Sequence, residues 1–108
     1  MTTLDPQRDH VVLINTFIVK PGQAEALLDL LAQATEQVMK RVPGFISANL
    51  HISDDRKRVV NYAQWESREA FAALREFPGA GDHMGKAAAM AESFEPVLYT
   101  LRFVEGPA

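Results

Sequence analysis

The hydrophobic period of the chain changes once near its start, and this change constrains the fold more than any other feature. His10 to Val19 reads HVVLINTFIV, which is rich in β-branched residues and ends at the turn signal Lys20-Pro21-Gly22. From Pro21 to Val42 the apolar residues recur at steps of three and four, which is the spacing of one stripe on a helix. The sequence therefore predicts a strand followed by an amphipathic helix.

The rest of the chain continues this alternation. Lys40 and Arg41 suit the negative end of the first helix, and Pro43-Gly44 is expected to end it. The remaining elements are a hairpin of two strands, a helix capped by Ser67, a flexible loop that leads into a short alanine-rich helix, and a last strand. Their predicted ranges are Phe45 to Ser53, Val59 to Glu66, Ser67 to Phe77, Gly79 to Gly85, Lys86 to Ala91 and Phe94 to Val104. The order β-α-β-β-α-β predicts a ferredoxin-like α+β fold, with two main helices on one face of a four-stranded antiparallel sheet.

Length and composition favour one domain and exclude several functions. We expect residues 1–9 to form a flexible, polar tail and residues 10–108 to form the domain. A net charge of −3 without a basic cluster argues against nucleic-acid binding, and the absence of a long apolar run or an apolar leader predicts a cytoplasmic protein that binds no membrane. There is no cysteine, and His10, His51 and His83 lack ligand spacing, so no metal site is expected.

The first and last strands are apolar on both faces. In the first strand Val12, Ile14 and Ile18 alternate with Leu13 and Phe17, and the last strand is similar. Two helices can bury only one face of a sheet, and a second exposed apolar face exceeds what soluble monomers usually show. The pattern predicts a homodimer packed sheet against sheet. The alternative cover is the N-terminal tail, whose polar residues suit this role poorly.

The predicted hairpin has one apolar face and one mixed face. A hairpin centred on Arg56 sets His51 opposite Asn61, although a shift of one residue would pair the strands differently. The mixed face then holds Phe45, Ser47, Asn49, His51, Asn61 and Trp65. Large rings with a few polar groups under two helices are typical of a small-molecule pocket. A tryptophan taken alone is as often a core residue, and an asparagine taken alone more often makes a local hydrogen bond.

The string Asn61-Tyr-Ala-Gln-Trp65-Glu-Ser67 with a following aromatic, together with the turn Val42-Pro-Gly-Phe45, resembles the antibiotic biosynthesis monooxygenase family. The likeness runs from about His10 to Val104 and is greatest to the cofactor-free anthrone oxygenases of aromatic polyketide pathways. It implies a dimeric α+β barrel with a substrate cavity in each subunit. It also implies oxidation of a polycyclic phenolic, anthrone-like aromatic to a quinone by O2, with no metal or flavin.

The resemblance also implies roles for individual residues. Asn61 and Trp65 match the pair that holds the substrate oxygen and supports its charged intermediate, and His51 matches a polar pocket histidine. Two positions depart from the family pattern: Phe71 replaces a tyrosine, and Gly85 lies near an expected arginine, with Lys86 beside it as a possible cation. The predicted substrate-binding residues are Phe45, Asn49, Phe71, Leu74 and Lys86.

Two other functions fit the same sequence. The first is a non-catalytic dimer that binds a small aromatic molecule, because this fold hosts many functions. The second resembles the haem-degrading branch of the fold, which uses an asparagine on the first strand and a tryptophan and a histidine around the second helix. Here Asn15 and His83 fall near those places, but Leu74 stands at the tryptophan position.

Overall fold

The computed structural model describes residues 1–108 and contains the predicted strands and helices in the predicted order. Two short 3₁₀ turns follow the first two helices, at Met39–Arg41 and Leu74–Glu76. The regular elements are β1 (Val11–Val19), α1 (Ala24–Gln37), β2 (Phe45–Ile52), β3 (Arg58–Trp65), α2 (Arg68–Ala73), α3 (Ala80–Met90) and β4 (Ala91–Thr100). The ferredoxin-like α+β fold class is therefore confirmed.

The four strands form one antiparallel sheet in the order β2-β3-β1-β4. Pro96 lies in the edge strand β4, where the lack of an N–H group is tolerated. Alternate residues of β1 separate the two faces. Leu13 and Phe17 belong to core clusters with residues of the helices, whereas Ile14 lies on the outer face beside Tyr62 and Val97. All three helices therefore cover one face of the sheet.

The first helix is shorter than its hydrophobic stripe. Ala24, Leu27, Leu31 and Ala34 are buried as the spacing predicts, but α1 ends at Gln37. Lys40 and Arg41 lie in the following 3₁₀ turn, so the prediction that they occupy the last turn of this helix is wrong. Val38 and Val42 are nevertheless buried, because a 3₁₀ turn also returns side chains to the core after a few residues.

The segment predicted as a flexible loop is helical. The helix α3 runs from Ala80 to Met90, so its first residues include those assigned to the loop. Gly81 and Gly85 within the helix lower its propensity, but Ala80 and Ala87 are buried on one side of the helix, and this packing outweighs propensity. The last strand begins directly after the helix at Ala91 and ends at Thr100, earlier than predicted at both ends.

The hairpin between β2 and β3 is paired one residue away from the predicted register. Ile52 lies opposite Val59, and His51 lies opposite Val60 rather than Asn61. The loop explains the difference, because the side chains of Ser53 and Asp55 accept hydrogen bonds from backbone N–H groups of the returning strand. These contacts fix a loop in which Arg56 has a positive φ of 62°.

A β-bulge at the start of β2 changes the side of the sheet on which Phe45 lies. Beyond it, Phe45 lies opposite Trp65, so both aromatic rings face the helices. Ser47, Asn49 and His51 instead share the outer face with Gln64. The predicted mixed face therefore does not exist as a single surface.

The residues before β1 form no regular element but contact the sheet. Thr2 donates a hydrogen bond through Oγ1 to Oδ1 of Asn49 at 2.6 Å, and Gln64 donates through Nε2 to the carbonyl of Thr3 at 2.9 Å. This segment thus covers the outer face near the start of β2. None of the helices has the length and apolar composition needed to cross a bilayer.

Candidate functional site

A cavity of about 740 Å³ lies between the sheet and the helices. This volume falls within the range of roughly 300–1,000 Å³ that is usual for small-molecule sites. Fourteen of its twenty lining residues are hydrophobic, and they come from all four strands and all three helices or their turns. The four amide or charged side chains of the lining are Asn15, Asn61, Arg68 and Arg75.

One wall of the cavity is aromatic. Trp65 is 1% exposed, and its ring packs edge-on against Phe45 and Phe71, with ring centroids 5.5 and 5.8 Å apart. Leu74 lies beside them and is also buried. Phe45 reaches this wall because the bulge in β2 turns it toward the helices. The three rings and the leucine form one apolar, largely aromatic wall of the cavity, which suits an aromatic ligand.

The sheet side of the cavity holds three buried polar groups without a partner in the protein. Asn15 on β1 lies directly opposite Asn61 on β3, and Trp65 follows four residues later on the same face of β3. The atoms without a hydrogen bond are Oδ1 of both asparagines and Nε1 of the tryptophan. Buried polar atoms are normally paired, so a cluster of three at one cavity points to a ligand that pairs with them.

Five of the eight predicted site residues line this cavity, and three do not. Phe45, Asn61, Trp65, Phe71 and Leu74 are brought together.

His51 and Asn49 lie on the outer face because of the hairpin register, and the exposed ring of His51 places Nδ1 3.1 Å from the carbonyl oxygen of Asn49. Lys86 is exposed on α3, because Ala80 and Ala87 turn the opposite side of that helix toward the core. These three residues therefore lie outside the lining of this cavity.

Three polar or charged residues of the cavity were not among the predicted site residues for oxygenation. Asn15 is a polar residue between Leu13 and Phe17 on the apolar face of β1, and this interruption is a signal visible in the sequence. Arg68 and Arg75 are seven residues apart, which places both on one side of a helical segment. The cavity lining thus contains two arginines, although neither stands near Gly85, where the family pattern expects one.

No carboxylate, histidine or lysine lines the cavity, so its residues offer no ordinary general base. His83, considered for haem binding, lies outside the lining, with Nδ1 3.0 Å from the carbonyl oxygen of Gly79. No three His, Asp or Glu side chains lie close enough to share a metal ion. The hydrogen bond from Ser53 holds the pKa of Asp55 below its usual value, but that carboxyl belongs to the exposed hairpin loop.

The fold and the cavity define a small ferredoxin-like protein with a largely apolar cavity between its sheet and its helices, and the comparisons with known proteins agree on one family. The family model described as antibiotic biosynthesis monooxygenase matches residues 10–90. Tetracenomycin-F1 monooxygenase of Streptomyces glaucescens is 42% identical over 83 residues, which cover 77% of this chain and 74% of that protein.

Two solved structures extend the comparison to three dimensions. SnoaB of Streptomyces nogalater, described as a cofactor-independent oxygenase, has a TM-score of 0.79 at 28% identity, covering 89% of this chain and 96% of its own. The ActVA-Orf6 monooxygenase of Streptomyces coelicolor, solved with nanaomycin D, has a TM-score of 0.80 at 30% identity, covering 96% of each chain.

This chain belongs to the antibiotic biosynthesis monooxygenase family. The predicted family is confirmed, and the named oxygenases among its relatives confirm the prediction of an oxygenase enzyme. The prediction that no cofactor is needed agrees with the description of SnoaB.

Proposed function

We propose that this chain is a cofactor-independent monooxygenase that oxidises a polycyclic phenol of the anthrone type to a quinone with O2. The observation that carries the proposal is the cluster of buried, unpaired polar atoms of Asn15, Asn61 and Trp65 beside an aromatic wall. A flat phenolic ring system fits both parts of this site. The oxygenases of polyketide pathways among its relatives support the same reaction class.

The cavity favours a substrate that supplies its own acidity. The lining offers no carboxylate, histidine or lysine as a base, so the proton must leave from a group whose anion is stable. The methylene group of an anthrone is acidic because its anion delocalises onto the ring oxygen. The unpaired Nε1–H of Trp65 can donate to that oxygen. The Nδ2–H of the Asn61 amide is a second donor at the cavity, and its unpaired Oδ1 can accept from a phenolic hydroxyl. Such donors act strongly inside an apolar site.

The oxygen step then requires no further protein group. The substrate carbanion gives one electron to O2, and the substrate radical and superoxide combine to form a carbon–oxygen bond. Protonation of this peroxide and loss of one water leave a carbonyl group on the former methylene carbon. One oxygen atom of O2 enters the quinone and the other leaves as water, so the reaction balances without an external reductant.

Replacing Trp65 with phenylalanine is expected to lower protein-dependent oxygen uptake by at least about tenfold. Phenylalanine keeps most of the ring packing but removes the Nε1–H donor. The measurement is oxygen consumption by metal-free protein with dithranol, an anthrone, corrected for spontaneous oxidation. Tyr99→Phe on the outer face is the matched control, since it also changes one polar aromatic residue.

The outcomes separate this proposal from its rival. Equal uptake by the wild type and Trp65→Phe would remove Trp65 from the reaction. Tight binding of dithranol without protein-dependent uptake would instead favour a non-catalytic binding protein. The cavity lining contains no general base, and this observation favours the non-catalytic binding protein as the second function.

We also propose that two copies pair through the outer faces of their sheets. The outer face carries a row of apolar side chains that no helix covers, including Ile14, Tyr62 and Val97 across three adjacent strands. Tyr99 on the same face is 46% exposed. A second copy would bury this row, as sheet-on-sheet packing requires.

The substitution Ile14→Asp is expected to convert a wild-type dimer into a monomer at micromolar concentration, because it would bury a carboxylate at the centre of the interface. Sedimentation velocity measures the change. Ala73→Asp, on the exposed side of α2, adds the same charge elsewhere and should leave the dimer intact. A wild-type chain that sediments as a monomer would contradict the pairing.

A further inference from the structure

Two of the four methionines of the chain line the cavity. They are Met39, in the 3₁₀ turn after α1, and Met84 on α3. The chain has no cysteine, so these two thioethers are the only sulfur groups of the cavity. The proposed reaction passes through a peroxide in the same cavity, and peroxides oxidise thioethers to sulfoxides.

The two thioethers differ in their surroundings. Met39 is half-buried and packs against the core cluster that contains Trp65. Met84 is 37% exposed and is not part of either core cluster, although it lines the cavity. Because oxidation of a side chain increases with its exposure, Met84 is the thioether of the cavity that is more open to attack.

Met84 shares the cavity with the unpaired polar groups of the sheet. Asn15 on β1 lies opposite Pro96 on β4, and both residues line the cavity together with Gly81 and Met84 of α3. The lining contains no carboxylate, histidine or lysine that would speed the loss of water from a peroxide by proton transfer. A peroxide that persists in this cavity therefore meets the sulfur of Met84.

We infer that Met84 is a sulfoxidation site for a hydroperoxide held in this cavity, so that the protein oxidises this residue during turnover. The inference rests on the proposed function for the source of the hydroperoxide and adds a side reaction at the same site. The sulfur attacks the distal oxygen, the O–O bond breaks and an S–O bond forms, while the proton of the distal oxygen passes to the proximal one. The sulfur gives up two electrons, and the hydroperoxide is reduced to an alcohol instead of losing water to form the quinone.

A sulfoxide on Met84 would change the cavity. Oxidation converts a flexible apolar side chain into a polar one, at a lining in which fourteen of twenty residues are hydrophobic. We therefore expect oxygen uptake to fall as Met84 is oxidised. Treatment with methionine sulfoxide reductases should restore it, because these enzymes return the sulfoxide to the thioether.

Mass spectrometry of tryptic peptides tests the inference, because cleavage after lysine and arginine places each of the four methionines in a different peptide. The protein oxidises dithranol in the presence of catalase and superoxide dismutase, which remove oxidants that diffuse through the solution. Asp54→Met adds an exposed methionine in the hairpin loop, away from the cavity lining and in a further peptide. We expect Met84 to gain one oxygen atom at least about tenfold faster than Met90 or the added methionine, since proximity raises the effective concentration of the oxidant.

A second measurement follows the loss of activity. Met84→Leu keeps a similar side-chain volume but removes the sulfur. With each protein compared to its own initial rate, this variant should lose oxygen uptake at least about twofold more slowly per turnover than the wild type. Met90→Leu, on the same helix but outside the cavity lining, is the matched control and should lose uptake as fast as the wild type.

The results decide both claims independently. Protein-dependent oxygen uptake with Met84 oxidised no faster than the added methionine would overturn the inference and leave the proposed function standing. A lack of protein-dependent uptake would contradict the proposed function, and cumene hydroperoxide, an aromatic hydroperoxide, then tests the site directly. Selective oxidation of Met84 by this probe, suppressed by anthraquinone, would support the site, whereas equal oxidation of Met84 and the added methionine would overturn it.

Discussion

Replacing Asn61 with alanine is expected to lower kcat by about 100-fold without destabilising the protein. In the proposed reaction, the Asn61 amide donates to the oxygen of the substrate anion, and this bond strengthens as charge develops there. In the folded protein its Oδ1 atom is buried without a partner, so truncation removes an unsatisfied group rather than a stabilising contact. Steady-state oxygen uptake and urea denaturation measure the two effects.

Asn49 provides a matched control for this prediction. It lies on the neighbouring strand but faces the other side of the sheet, where its Nδ2 donates to the carbonyl of Tyr62 at 2.8 Å and its Oδ1 accepts from Thr2. Asn49→Ala should therefore lower the free energy of unfolding by about 1 kcal/mol and leave kcat near the wild-type value. The opposite pattern, with activity lost in Asn49→Ala alone, would favour the hairpin register centred on Arg56.

The same hairpin marks how far the sequence alone could predict this site. Alternation predicted that Asn61 and Trp65 share a face, because that depends only on spacing within one strand. The partner strand was misplaced by one residue, since its register depends on hydrogen bonds from the loop to Ser53 and Asp55. A one-residue shift reverses the facing of every side chain, which moved His51 out of the site.

Other parts of the cavity depend on contacts between distant segments. The bulge that turns Phe45 toward Trp65 leaves no clear signature in the amino-acid order. The start of α3 at Ala80 follows from packing against the rest of the core, which outweighs the low propensity of its glycines. In contrast, the seven-residue spacing of Arg68 and Arg75 is visible in the sequence, but only the structure shows that this side of the helix lines the cavity.

Replacing Gly44 with alanine is expected to lower the free energy of unfolding by about 3 kcal/mol. Gly44 has a φ of 90°, which is unfavourable for other residues, and an added Cβ would overlap the Cβ of Ala70 on α2. The carbonyl of Gly44 also accepts a hydrogen bond from the N–H of Glu66 at 2.8 Å, so the turn cannot move away freely. Urea denaturation monitored by circular dichroism measures the loss.

Gly22 separates the steric part of this loss from the backbone part. It has a φ of 76°, but an added Cβ would meet nothing within 4 Å. Gly22→Ala should therefore lower the free energy of unfolding by only about 1 kcal/mol. Ala70→Gly removes the atom that the new Cβ would meet, although it lowers helix propensity by about 1 kcal/mol.

The double variant Gly44→Ala/Ala70→Gly should consequently be more stable than the sum of the single effects predicts, by about 1–2 kcal/mol. Strict additivity would show that the turn and α2 are not in close contact. Since α2 carries Phe71 and Arg68, such a result would also remove the support that positions one wall of the cavity. A double variant that is more stable than additivity predicts would show that the Pro43-Gly44 turn packs against α2 and helps to position this wall of the cavity.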